Sequence, residues 1–70
     1  MISKSRAERV GNKLGVDWSK VDLNQFRIGL GVELEHRDIT HGDLKMTGTI
    51  ALAHLKEDPR YYTKLKKAGL

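Results

Sequence analysis

Residues 22–37 read DLNQFRIGLGVELEHR, and this stretch decides the fold. Leu23, Phe26, Leu30 and Leu34 recur at steps of three and four, the spacing that lines one side of an α-helix. Asp22 suits the N-cap, with Gln25 three residues on to complete a capping box. Ile28 and Val32 fall on the opposite side. The helix is therefore apolar twice over and belongs at the centre of a fold or against a partner. Gly29 and Gly31 each cost roughly 1 kcal/mol relative to Ala inside a helix, and close approach of a neighbouring helix offsets such a cost. The expectation is a central helix over about 22–37.

Upstream, Ser3 can cap a helix in which Ala7, Val10 and Leu14 share a thin apolar stripe, with Gly15 as its stop. Residues 1–15 thus form a basic N-terminal helix or arm, and 16–70 a single helical domain. Val16-Asp17-Trp18-Ser19 connects the two and carries the only Trp, which reads as a core plug. Downstream comes a turn, Asp38-Ile39-Thr40-His41-Gly42-Asp43, in which Thr40 and Asp43 have capping-box spacing. Thr47 then caps a helix with Ile50, Ala53, His54 and Glu57 on one face. Asp58-Pro59 punctuates the chain: Asp58 can cap, and Pro59 fits a first helical position. A last helix turns Tyr61, Tyr62, Leu65 and Ala68 inward, and Gly69 ends it. The β-branched and aromatic residues are few and do not alternate, which argues against a sheet. The fold expected is all-α, a compact small bundle of three to four short helices. Its core should hold Leu14, Trp18, Leu23, Phe26, Leu30, Leu34, Ile50, Ala53, Leu55, Tyr61 and Leu65.

The chain has 70 residues and no cysteine. One small domain fits that length, and neither a disulfide scaffold nor a thiolate zinc site does. MISKSRAERV lacks the apolar core of a signal peptide, and no apolar run is long enough to span a bilayer. A cytoplasmic chain without membrane association is the expectation. The net charge of +4 divides into +3 over residues 1–20, −3 over 21–58 and +4 over 59–70. Lys4, Arg6, Arg9 and Lys13 at one end, and Arg60, Lys64, Lys66 and Lys67 at the other, can meet phosphate or an acidic partner surface. They can equally be a solvated surface.

No constellation for catalysis stands out. Gly29-Leu30-Gly31 lies inside a helix without a preceding strand, and no serine has a nucleophile-elbow context. An enzyme is not expected. The residues closest to chemistry are Glu33 and His36, three apart on one helix, with His54 from another. Carboxylate and imidazole together suit Zn or non-haem Fe. The alternative is a structural clamp, in which these groups satisfy one another by hydrogen bonds and no cofactor is bound. The clamp is the expected outcome. Arg60-Tyr61-Tyr62-Thr63-Lys64 combines bases with aromatics, as single-strand nucleic-acid binders do, but Tyr61 and Leu65 at helical spacing also read as core.

The run Phe26-x2-Gly29-x3-Glu33-x-Glu35-His36, with Thr40 and then Ile50-Ala51-x2-His54-Leu55-x-Glu57-x-Pro59-x-Tyr61-Tyr62-x2-Leu65, resembles a small family of uncharacterised proteins. Members occur in bacteriophages and bacteria, alone or fused to larger phage proteins. Trp18-Ser19-Lys20-Val21-Asp22 resembles the family's lead-in, so the likeness covers roughly residues 16–65. It implies no known activity. It does imply that Glu33, Glu35, His36, His54, Glu57, Tyr61 and Tyr62 are family features. The function expected is a small non-enzymatic interaction module acting through protein contacts or self-association. The phage or mobile-element character, as a virion or accessory component in the host cytoplasm, comes from the resemblance. The alternatives are a Zn or Fe module built on Glu33, His36 and His54, and a nucleic-acid-binding accessory protein using the basic ends.

Overall fold

The computed structural model describes residues 2–35 and 43–69, and its described elements are four α-helices without a strand. They are α1 (Lys4–Lys13), α2 (Leu23–Leu34), α3 (Leu44–Glu57) and α4 (Tyr61–Lys67). The all-α bundle is the architecture expected. Ser3 caps α1, accepting the Arg6 N–H on its hydroxyl at 3.1 Å, and Gly15 leaves the helix with φ +74°. Asp17 then folds the connection by accepting both the backbone N–H and the hydroxyl of Ser19, at 2.9 and 2.6 Å. Those two bonds hold the Asp17 carboxyl below its usual range.

Asp22 caps α2, its side chain accepting the Gln25 N–H at 3.0 Å. The Gln25 side chain does not return the bond. Its amide instead donates to the Thr63 hydroxyl on α4. The helix runs to Leu34 with Glu35 as C-cap, so it is shorter than 22–37. Arg37 and the turn from Asp38 to Gly42, Thr40 included, lie outside the described residues.

α2 buries Phe26, Gly29, Leu30 and Glu33, one face at steps of three and four, and packs most extensively against α3. Leu23, Leu34, Ile28 and Val32 flank that face, half-buried against the core, which explains the double apolar pattern. Gly29 faces a neighbour as expected: a Cβ there would stand 2.5 Å from Tyr62 Cε2. Gly31 does not, since among the described residues nothing would come within 4 Å of a Cβ at that position.

The third helix differs from expectation in both start and phase. Asp43 is its N-cap, accepting the N–H groups of Lys45 and Met46 at 2.8 and 3.2 Å. Thr47 sits inside the helix instead, fully buried, with its hydroxyl donating to the Asp43 carbonyl at 2.7 Å. The inward face is Thr47, Gly48, Ala51 and Leu55. Ala53 is exposed, and Ile50 is half-buried outside the residues packed on the core. The physical reason is size. Small residues let α3 lie close to α2, so the closely packed side is the less hydrophobic one.

α4 also starts late. Asp58 accepts the Arg60 N–H at 2.9 Å and closes a turn with Pro59, and Tyr61 opens the helix without a side-chain cap. Tyr62 is the buried tyrosine and Tyr61 is half-buried, while Ala68 is exposed. The remaining expected core residues hold: Phe26, Leu30 and Leu55 are buried, with Leu14, Trp18, Leu23, Leu34 and Leu65 packed around them. Ile2, Ala7 and Val10 join them from the N-terminal segment, which takes the helix form and contributes to the core.

Candidate functional site

The polar centre is built by α2, α3 and α4 together. Glu33 is on the buried face of α2 and retains only 8% of its accessible surface. Tyr62 of α4 reaches it across the interface, and its hydroxyl donates to Glu33 Oε2 at 2.9 Å. His54 of α3 places Nε2 3.7 Å from the same oxygen, too far for a hydrogen bond and close enough for charge attraction when the ring is protonated. The His54 ring lies parallel on Tyr61, with centroids 4.3 Å apart and planes 5° apart. It meets Tyr62 edge-on at 6.2 Å, and the two tyrosines are themselves edge-to-face at 5.0 Å.

Sequence order explains how three rings gather here. The turn at Asp58 and Pro59 joins α3 directly to α4, and of the adjacent tyrosines Tyr62 is buried and Tyr61 half-buried. Gly29 supplies the space, because the Tyr62 ring lies where a side chain on α2 would otherwise stand. Burial first, then the hydrogen bond to Glu33 and the charge of that carboxylate, push ionisation of the Tyr62 phenol well above its ordinary value. The phenol therefore stays a donor, and Glu33 keeps a proton-bearing partner.

Of the residues singled out in the sequence, Glu33, His54, Tyr61 and Tyr62 meet in this cluster. Glu35 and Glu57 are exposed, and His36 lies outside the described residues. Among the described residues no group of three or more His, Asp or Glu side chains is arranged to hold a metal ion. Glu33 and His54 can supply one carboxylate and one imidazole. The Tyr62 partnership with Glu33, spanning 29 residues, has no spacing signature and was invisible in the sequence.

The basic residues Lys4, Arg6, Arg9 and Lys13 lie exposed on α1, and Arg60, Lys64, Lys66 and Lys67 are exposed on and before α4. Lys64 is paired with Asp58, Nζ to Oδ2 at 2.6 Å, and that bond comes first among the causes that lower the Asp58 carboxyl. α1 and α4 do not pack on one another, so the two basic ends are separate surfaces. Among the described residues no helix is long and apolar enough to cross a membrane.

No curated protein and no solved structure matches the chain. A family model does, over residues 7–69, reaching back from the expected likeness into α1 and so taking in Ala7 and Val10 of the core. That span includes all four members of the polar cluster and nearly the whole bundle, and the chain belongs to the family described as protein of unknown function, DUF5661.

Proposed function

We propose that this chain is a non-enzymatic interaction module that works through protein contacts, with the outward side of α3 as its contact surface. The observation that carries the reading is the phase of that helix. Met46, Ile50 and Ala53 follow one another at steps of four and three on the side opposite Thr47, Gly48, Ala51 and Leu55. Met46 is 46% exposed, and Ala53, about two turns further along the same side, is exposed as well. A helix that turns small residues inward and Met and Ile outward leaves apolar surface for a partner. The polar cluster supports the same reading from the other direction. Glu33 and Tyr62 satisfy each other and His54 is stacked, which suits a clamp holding three helices together. The family resemblance extends this to an accessory or virion component of a phage or mobile element.

Light scattering of the purified chain over a wide concentration range tests the surface, alongside cross-linking from a photoreactive residue at position 53, which is exposed on the same side. Association or adducts that Met46→Asp removes, with the melting temperature kept, is the expected result. A monomer at every concentration that also gives no adduct from position 53 overturns the reading.

A further inference from the structure

A second surface, away from the outward side of α3, carries more specific chemistry. Where the segment before α2 meets the end of α3 and the turn into α4, a partly open groove of about 250 Å³ enters the molecule. Its apolar wall is Val21, Leu55 and Pro59, with Leu55 continuous with the core. Lys20 and Arg60 stand at its edges, both exposed. The described ion pairs, Lys64 with Asp58 and His54 with Glu33, engage neither of them. Asp22 also lines the groove, with one carboxylate oxygen used by the Gln25 N–H.

Gln25 adds an independent observation. Its amide nitrogen is tied to Thr63, while its amide oxygen is buried without a partner. Reversing the amide exchanges the two atoms and leaves the nitrogen unpaired instead. One half of this group lacks a partner in either orientation, and a buried polar atom left so is costly. The last torsion of Gln is broad, so the amide can give up the Thr63 bond and turn as one unit toward a ligand entering the groove.

The ligand must answer each of these groups. Two cations call for an anionic group, and Val21, Leu55 and Pro59 for a small apolar body. The second oxygen of Asp22 calls for an N–H donor and repels a bare polyanion, which disfavours nucleic acid. Gln25 calls for an amide. A peptide carries all four together. We propose that the groove binds a short peptide segment in which an acidic residue adjoins an apolar one. The carboxylate lies between Lys20 and Arg60, the apolar side chain rests on Val21 and Pro59, and the backbone amides meet Asp22 and Gln25.

Titration of the 15N-labelled chain with acetyl-Leu-Asp-amide, followed by NMR, tests this. Saturable shifts confined to the amides around Val21, Asp22, Gln25, Leu55 and Arg60 are expected, with millimolar affinity for so small a probe. Acetyl-Leu-Asn-amide, which lacks the charge, should bind about tenfold more weakly or less, as should the dipeptide to the Lys20→Gln, Arg60→Gln double variant. Both substituted residues are exposed, so that variant keeps its melting temperature. Shifts scattered over the surface, equal binding of the Asn probe, or equal binding of inorganic phosphate at the same amides each overturn the proposal. Met46→Asp leaves the titration unchanged, so failure here and failure of the α3 surface are read separately.

Discussion

The bundle has two interiors, and they solve the same packing problem differently. At the end formed by α1, α2 and α3, Phe26 is fully buried and Trp18 meets it edge-on, with centroids 5.6 Å apart. Trp18 covers Gly11, where a Cβ would overlap its ring, and ties its indole N–H to Asn12 Oδ1 at 2.8 Å on the surface. At the end formed by α2, α3 and α4, Tyr62 covers Gly29 in the same way, but its polar tip points inward, onto Glu33. Both ends seat an aromatic ring on a bare patch of helix. One sends the ring's polar atom out to a surface amide, and the other commits it to a buried carboxylate. The first is held by shape, and the second by shape plus one obligatory pairing.

Truncation should hurt the apolar end most. Phe26→Ala removes a fully buried ring beneath Trp18 and should cost about 3–5 kcal/mol, read from urea unfolding midpoints. A loss below about 1 kcal/mol would mean that Trp18 collapses into the gap and that the end is not shape-held.

The polar end should fail by a different rule. Tyr62→Phe keeps the ring over Gly29 but takes the donor from Glu33, and should cost about 1–3 kcal/mol. Adding Glu33→Leu to that variant should restore much of the loss, because replacing both partners of a buried pair is far milder than orphaning one. A double variant no better than Tyr62→Phe breaks the distinction between the two ends.

Alkaline titration sharpens it further. The phenol ionises above its ordinary value of 10.0 in the folded chain, so the unfolded chain loses this proton first as pH rises. The stabilisation is whole below pH 10.0 and should fall by about 1.4 kcal/mol per unit above it. Denaturant midpoints of the wild type and Tyr62→Phe, compared across that range, isolate the slope. Equal slopes count against a buried, hydrogen-bonded phenol.

The smallest effect should come from Gly31, two residues from Gly29 and on the opposite side of α2. With no described residue within 4 Å of a Cβ there, Gly31→Ala should stabilise by roughly 0.5–1 kcal/mol through helix propensity alone. A shift of the melting temperature downward would reveal a neighbour of Gly31 in the folded chain.

α2 was legible because two strong signals agree there, a cap at Asp22 and large apolar residues at helical spacing. α3 was legible as a helix but not in its phase. Thr47, Gly48 and Ala51 are small and weakly hydrophobic, so hydropathy gives the inward side to Ile50 and Ala53, while close packing gives it to the small residues. In α4, the neighbouring tyrosines look equivalent in sequence, and only the space over Gly29 selects Tyr62 for burial. The site was half legible for the same reason. Glu33 and His54 stood out as chemistry-bearing types, but the group that satisfies Glu33 comes from a different helix, at a distance no local pattern encodes.

The Tyr62–Glu33 pairing also sets a schedule. A chain is made from its N-terminus, and Glu33 emerges well before Tyr62, so a nascent chain carries α2 with its carboxylate unanswered and its Gly29 patch uncovered. Both are supplied by one side chain that follows Glu33 by 29 residues. A chain cut short before that residue still has α1 and α3 to pack on α2, but it leaves Glu33 without its donor and the Gly29 patch open.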